Sequence, residues 1–421
     1  MSTATIQVRI ERIRGVRACL SLIRAIDEAS VSPERPPLIS GSFLRVTVAN
    51  FFFFLNFASF FLLPLEVKAM GGSEATVGAV MATGGIATLA ALPAIGLLID
   101  RVGRRLFLLL GAACMSLASF LYLQIDHIGL ALFGLRILQG ASFAMAFTAT
   151  TTFAAELAPR DRRAQALGVF GVSTLLTHAI APGLGEELVH RAGFNALFAT
   201  ATVCTAISFS LALTLPADHA SVRGHVERDP WRFGPAQWLL GAIMALTGLG
   251  FGAVVTFVPT FVQTSQLGRV GFFYFSYTVT AMLTRIVGAG LSDSYGRRAV
   301  IMPTLLALAT SIVLLSMVDG WLSLLLTSAL FGVAQGINYP TLHAYLIDIT
   351  PEAHLGRAQA LFNGAFNLGV TCSALIFGVV ANHYGHRTMF LIAGMTPLAA
   401  LMLVYFIPGI GRRRHREVVA A

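Results

Sequence analysis

The sequence predicts an all-α integral membrane protein of twelve transmembrane helices, arranged as two pseudo-symmetric six-helix halves. Three observations support this fold class. Of the 421 residues, 56% are hydrophobic and 12% are charged, and soluble domains carry roughly twice that charged fraction. Twelve apolar segments approach the roughly 20 residues that a helix needs to cross a hydrocarbon core. Short motifs from the first half of the chain recur in the second half, which indicates an internal duplication.

The apolar segments divide the chain into two equal sets, separated by a polar stretch. The predicted spans cover residues 43–65, 75–99, 105–123, 129–155, 164–185, 194–214, 237–262, 270–292, 299–317, 321–347, 358–382 and 387–408. The halves are therefore residues 43–214 and 237–408, joined by a cytoplasmic linker at 215–236 that contains three prolines. Residues 1–42 form a basic cytoplasmic leader and residues 409–421 a basic tail.

The basic residues predict which side each loop faces. With both termini in the cytoplasm, 23 of the 29 basic residues lie in cytoplasmic segments, and four lie on the opposite side. Such a bias is typical of membrane proteins, so we expect an integral protein of a bacterial inner membrane, contacting membrane lipids. This topology explains the net charge of +9, and no nucleic-acid partner is predicted. The four cysteines are expected to be small apolar packing residues.

The pentapeptide RAQAL occurs at Arg163 to Leu167 and again at Arg357 to Leu361. The repeat also pairs GLLIDRVGRR with GAGLSDSYGRR, two loops that follow the second and eighth spans. In each loop a glycine suits a tight turn and two arginines follow it. Charges this close to a bilayer need partners, and Glu156 and Asp348 stand at the ends of the fourth and tenth spans.

The first loop, Gly96-x-x-x-Asp100-Arg101-x-Gly103-Arg104-Arg105, resembles the signature loop of the major facilitator superfamily of secondary transporters. The second copy departs from it at Ala289 and Ser294. The fourth span resembles the next family signature at Arg136, Gln139 and Gly140. The resemblance covers residues 43 to 408.

The resemblance implies a cytoplasmic gate that closes when the halves rock together. Asp100 is expected near Arg357 at the start of the eleventh helix, and Arg163 beside Asp293. Arg104 or Arg105 is expected to reach Glu156. The expected gating residues are Asp100, Arg104, Arg105, Glu156, Arg163, Asp293, Arg297, Arg298, Asp348 and Arg357. The alternative is that these charges only set topology.

The resemblance also implies that the first, fourth, seventh and tenth helices line a central cavity, where polar side chains are candidate substrate ligands. These candidates are Asn50, Asn56, Arg136, Gln139, Thr256, Gln335, Asn338, Tyr339 and His343, to which we add Arg285 of the eighth span. Two arginines inside spans favour an anionic or amphipathic solute. Arg136 could instead bond only backbone carbonyls and glutamine.

Proton coupling is expected, although the sequence offers no carboxylate near the middle of a span, and His178 or His343 could titrate instead. The fifth span, THAIAPGLGEE, partly matches a family antiporter signature, with Glu186 in place of its last glycine. This match favours export. We expect proton-linked export of a small organic solute by a monomeric carrier. The alternatives are uptake of an organic anion by symport or antiport, and a sensor that does not transport. No enzyme activity, cofactor or metal site is predicted, and His383 and His386 are too few ligands for a metal.

Overall fold

The computed structural model describes residues 40–158, 162–216, 232–288, 290–351 and 354–406, except for the side chains of Asp100, Arg163 and Ala164. The leader up to residue 39, most of the linker and the tail lie outside this part of the chain. All regular elements of the described residues are helical, in agreement with the predicted fold class.

The described residues form twelve α-helices. Eight of them each correspond to one predicted span, two are short, and two each cover two predicted spans. The first half holds α1 Gly41–Ser59, α2 Leu63–Ala69, α3 Glu74–Val102, α4 Arg104–Leu121, α5 Leu130–Leu157 and α6 Arg163–Leu213. The second half holds α7 Pro235–Thr264, α8 Val270–Val287, α9 Leu291–Tyr295, α10 Arg297–Leu315, α11 Trp321–Asp348 and α12 Leu355–Val404.

Within the described residues, ten helices are long and apolar enough to cross a membrane. The two longest, α6 and α12, contain 51 and 50 residues and are each interrupted at one glycine. Gly193 and Gly385 adopt φ angles of 76° and 79° there, which glycine reaches without steric cost. Division at these glycines is consistent with twelve spans.

Local sequence explains several helix ends. Ser40 and Ser73 cap α1 and α3 by accepting hydrogen bonds from the N–H groups of Phe43 and Thr76. Gly103 and Gly296, which the repeat pairs, have φ angles of 107° and 91° between consecutive helices. The predicted eighth span was too long, because α8 ends at Val287 and a turn separates it from α9.

The two halves share a core at one end of the molecule and have separate cores at the other. The shared core includes Leu62 and Val77 from the first half and Val258, Phe273 and Phe390 from the second. We call this the closed end; it carries the turns at 70–73, 265–269 and 383–386. Toward the opposite end, the open end, which carries Gly103 and Gly296, each half packs around a core of its own.

The space beside individual glycines also shows that the halves are close together at the closed end and farther apart toward the open end. A Cβ atom at Gly78 of α3 would lie 2.1 Å from the carbonyl oxygen of Ala374 on α12. Farther along α3, a Cβ at Gly96 would meet no heavy atom within 4 Å, and Gly168 and Gly171 of α6 are equally open. The halves are therefore in backbone contact at the closed end and diverge toward the open end.

Candidate transport cavity and gates

A cavity of about 170 Å³ lies between the halves, next to the shared core. Its wall from the first half is aromatic, with Phe57 stacked on Phe143 at 4.5 Å between ring centroids. The wall from the second half combines the polar side chains of Thr256, Asn367 and Thr371 with the apolar side chains of Val255, Val370 and Ala374. An apolar face opposite a hydrogen-bonding face suits an amphipathic solute.

Arg136 lines this cavity, but its guanidinium is bound within the first half. Nε donates to the carbonyl oxygen of Val80 at 3.2 Å, and Nη1 donates to Oε1 of Gln139 at 2.9 Å. Nη2 lies 3.4 Å from the carbonyl oxygen of Met81. The hydroxyl of Tyr122 also donates to Gln139 at 3.0 Å. The alternative that Arg136 bonds backbone and glutamine therefore describes its contacts.

Two glycines make room for this arrangement. A Cβ at Gly84 would lie 2.7 Å from Nη2 of Arg136, and a Cβ at Gly140 would lie 2.2 Å from the carbonyl oxygen of Gly84. The hydroxyl of Thr88 donates to the carbonyl oxygen of Gly140 at 3.0 Å. Helices α3 and α5 thus touch through backbone, and this close approach holds Arg136 in place.

Arg285 has a different environment. It lines a second cavity, of about 240 Å³, between α8, α11 and the turn before α10. Its Nε is buried without a hydrogen-bond partner, and none of the ion pairs found among the described residues includes it. Arg285 is thus a partly buried cation within the second half, and Asp293 and Arg297 line the same cavity.

Two of the remaining substrate candidates, Asn56 and Asn338, are packing residues within their own half. Asn56 donates from Nδ2 to Ser119 and to the carbonyl oxygen of Ala201, at 2.7 Å each, inside the first half. Asn338 is fully buried and accepts from Thr304 at 3.3 Å. Neither side chain is among the lining residues of the two cavities.

Tyr339 and His343 lie on α11 facing the first segment of α12. The hydroxyl of Tyr339 donates to Oδ1 of Asn363 at 2.8 Å, and the ring of His343 lies 5.5 Å from that of Phe362. His178 packs on Phe61 at 5.2 Å between ring centroids. Each of these three contacts joins residues of the same half.

Two further candidates, Asn50 and Gln335, are buried side chains. Asn50 donates to Thr174 at 2.8 Å. Gln335 is 5% exposed, and its Oε1 has no hydrogen-bond partner.

The sequence reasoning missed the polar residues that α3 and α12 contribute to the first cavity, namely Thr88, Asn367 and Thr371. Helices α3 and α12 are not among the four that the resemblance implies as the lining of the cavity. A usable signal was present in α12, where Asn363, Asn367 and Thr371 follow each other at intervals of four residues and so share one helix face.

At the open end, Arg104 and Glu156 form an ion pair within the first half, with 2.5 Å between Nη2 and Oε1. The side chain of Arg104 is 2% exposed and that of Glu156 is 35% exposed, so water reaches this pair only from the side of the carboxylate. Arg105 donates to the carbonyl oxygen of Leu213 at 2.6 Å. Of the two arginines that were expected to reach Glu156, the first one does.

The second half repeats this pairing with a larger cluster. Arg297 pairs with Asp293 at 2.5 Å and with Asp348 at 2.8 Å, and Nη1 donates to Ser292 at 2.6 Å. Arg298 lies over the ring of Tyr405, with 5.3 Å from Cζ to the centroid. The expected contacts between halves, Arg163 with Asp293 and Arg357 with Asp100, involve side chains of Arg163 and Asp100 that lie outside the described part.

The family model of the Major Facilitator Superfamily matches residues 46–287 and 240–420. The staphylopine export protein of Staphylococcus aureus (strain Mu50 / ATCC 700699) is 23% identical over 86% of this chain and 95% of its own length. The multidrug resistance protein MdtG of Salmonella typhi is 26% identical over 38% of this chain and 41% of its own length.

Solved structures show the same fold. A D-xylose-proton symporter superposes with a TM-score of 0.73 at 17% identity, covering 87% of this chain and 97% of the symporter. An inward open conformation of the xylose transporter XylE from E. coli has a TM-score of 0.71 at 17% identity, covering 90% and 98% of the two chains.

Proposed function

Because this chain belongs to the major facilitator superfamily, a family of membrane transporters and not of enzymes, we propose that it exports a small amphipathic organic anion in exchange for protons. The observation that carries the proposal is Arg285, a partly buried arginine whose Nε has no partner and which lines a cavity between helices. A cation in such a place is costly unless a ligand completes its hydrogen bonds.

The solute's chemistry follows from the two cavities. The aromatic wall at Phe57 and Phe143 accepts an apolar ring system, and Thr256 and Asn367 line the same cavity from the other half. Arg285 supplies the positive charge for a carboxylate, sulfonate or phosphate. Arg136 and Gln139 shape the wall, since their polar atoms already bond each other and the backbone.

The direction of transport depends on which side the open end faces. The 23 basic residues assigned to one side support a cytoplasmic open end. In this orientation the cavities load from the cytoplasm, and the halves must open the closed end to release solute outside. The similarity to an export protein over 86% of this chain supports export as well.

The charged clusters at the open end act as the gate in this cycle. Within each half, Arg104 with Glu156 and Arg297 with Asp348 hold the signature loop against the end of a neighbouring helix. We expect Asp100, Asp293, Arg163 and Arg357 to exchange contacts between halves when the open end closes. Each such exposed pair contributes roughly 0 to 1 kcal/mol, so the cluster acts by the sum of its members.

Transport by vesicles of both orientations tests the proposal. Inside-out vesicles with an acidic lumen should accumulate fluorescent aromatic carboxylates, and a protonophore should abolish the accumulation. Arg285→Gln should abolish it too, whereas Arg191→Gln, an exposed arginine at the closed end, should leave it intact.

Accumulation by right-side-out vesicles alone would replace export by the second candidate, uptake of an organic anion, which Arg285 would serve equally. Transport of neutral or cationic aromatics with Arg285→Gln unaffected would refute the anion proposal. If the protein binds the carboxylates but transports them in neither orientation of the vesicles, the result would favour a sensor.

A further inference from the structure

The closed end contains a contact between the halves that joins a carboxylate to a helix terminus. Glu186 projects from α6, and its Oε1 and Oε2 accept hydrogen bonds from the backbone N–H groups of Val270 and Gly271, at 2.9 and 2.8 Å. These two residues begin α8 in the other half. We call this contact, formed by Glu186, Val270 and Gly271, the α6–α8 clamp.

The first N–H groups of a helix have no partner within the helix, and its N-terminus carries a partial positive charge. A side-chain carboxylate is therefore a favourable cap, and here the cap comes from the opposite half. A carboxylate that accepts two N–H groups forms charge-assisted bonds, which are about twice as strong as neutral ones. The clamp therefore stabilises only the arrangement in which α6 and α8 touch.

Two glycines allow this approach. A Cβ atom at Gly271 would lie 2.7 Å from Cα of Gly183, which stands three residues before Glu186 on α6. Any larger side chain at Gly271 would push α8 away from the carboxylate. The clamp is thus built from the backbone of both helices together with one acidic side chain.

The neighbouring Glu187 also binds the second half, but at the surface. Its Oε2 lies 2.6 Å from Nη1 of Arg269 and its Oε1 lies 2.6 Å from Nε of Arg191. The side chain of Arg269 is 57% exposed, and surface ion pairs of this kind contribute about 0 to 1 kcal/mol. Glu187 therefore offers a matched control: the same residue type, one position away, with a weaker contact to α8.

A second acidic contact lies on the other side of the closed end. Glu74, at the start of α3, accepts from the hydroxyl of Thr260 at 3.1 Å and lies 3.4 Å from Nε2 of His386. Both partners belong to the second half, and Lys68 of the first half is 3.2 Å away. The closed end is thus held on both sides by an acidic residue of the first half.

We propose that Glu186 is a gate residue of the transport cycle: it clamps α8 while the closed end is shut and must release it before that end opens. This inference rests on the alternating access of the proposed function, but not on the solute, the coupling ion or the direction. The open-end signature loops do not contain Glu186, so the clamp is a second gate on the opposite side of the cavity.

Distance measurements between spin labels test the proposal in the full chain without any solute. Cysteines at His190 and Ser265, exposed residues of opposite halves at the closed end, would carry the labels. The four native cysteines would be replaced, and the parent must keep its elution volume and melting temperature. We expect Glu186→Gln to raise the ratio of long to short distances by about tenfold, and Glu187→Gln by less than about threefold.

Gly271→Ala provides a variant that keeps the carboxylate and disturbs the same contact by size. It should shift the distances in the same direction as Glu186→Gln. Unchanged distances in both variants, or an equal shift in Glu187→Gln, would overturn the proposal. If the vesicle assays show no transport while the distances shift as expected, the proposed function fails and the clamp stands.

Discussion

The two arginines inside the membrane should respond in opposite ways to the same substitution. Arg285→Gln removes a partly buried charge whose Nε lacks a partner, so we expect the free energy of unfolding to stay constant or rise by about 1 kcal/mol. Arg136→Gln removes the donors to Val80 and Gln139. At about 1.5 kcal/mol for each charged donor, this should cost about 3 kcal/mol.

Binding of the solute should show the reverse order. A charge-assisted contact between Arg285 and the anionic group contributes about 1.5 to 3 kcal/mol, so Arg285→Gln should weaken the apparent Kd by about 10- to 150-fold. Arg136 has its polar atoms occupied by protein groups, so the Kd of the folded fraction of Arg136→Gln should change by less than about fivefold.

Thermal unfolding in detergent and quenching of tryptophan fluorescence by an aromatic carboxylate would give both quantities from one purified sample. Arg191→Gln is the control for the loss of an exposed arginine, whose side chain is 75% exposed. A large loss of stability in Arg285→Gln together with unchanged binding would refute the reasoning, because it would make Arg285 a structural residue.

Two further predictions concern packing and the gate. Gly140→Ala places a methyl group 2.2 Å from the carbonyl oxygen of Gly84. It should therefore lower the free energy of unfolding by about 1 to 3 kcal/mol, which thermal unfolding would measure. An unchanged melting temperature would show that α3 and α5 separate freely. Asp348→Asn leaves Arg297 paired with Asp293, so the free energy of unfolding should change by less than about 1 kcal/mol. Transport by vesicles should nevertheless become slower, because the gate loses one of its charges. Transport at the parent rate would remove Asp348 from the gate.

The repeat in the sequence predicted the local structure of the signature loops correctly. Gly103 and Gly296 stand at equivalent positions and both take left-handed φ angles before an arginine-led helix. The same repeat pointed to Glu156 and Asp348 as ion-pair partners, and each pairs with the arginine of its own half. The paired residues are 52 and 51 positions apart, and the sequence pointed to them because the duplication repeats the same charges at nearly the same spacing in each half.

The lining of the cavity was less predictable, because the presence of a polar residue in a span does not tell which way its side chain points. Asn56 and Arg136 both met the criterion of a polar side chain inside a span, yet both make their hydrogen bonds within the first half. Of the candidates, Arg136, Gln139 and Thr256 line the cavity, as do Asn367 and Thr371 of α12, a helix outside the four that were expected to line it. The face that each helix turns toward the cavity depends on its packing against its neighbours.

Composition, hydropathy and the internal repeat were sufficient to determine the membrane class, the helical spans and the pairing of equivalent loops, since each depends on the period and polarity of nearby residues. Only the tertiary structure decided which arginine is free, which end of the molecule is shut and that Glu186 caps α8. These depend on the distance between halves, and residues 84 positions apart meet through the packing of whole helices. Periodicity along the chain does not encode that distance.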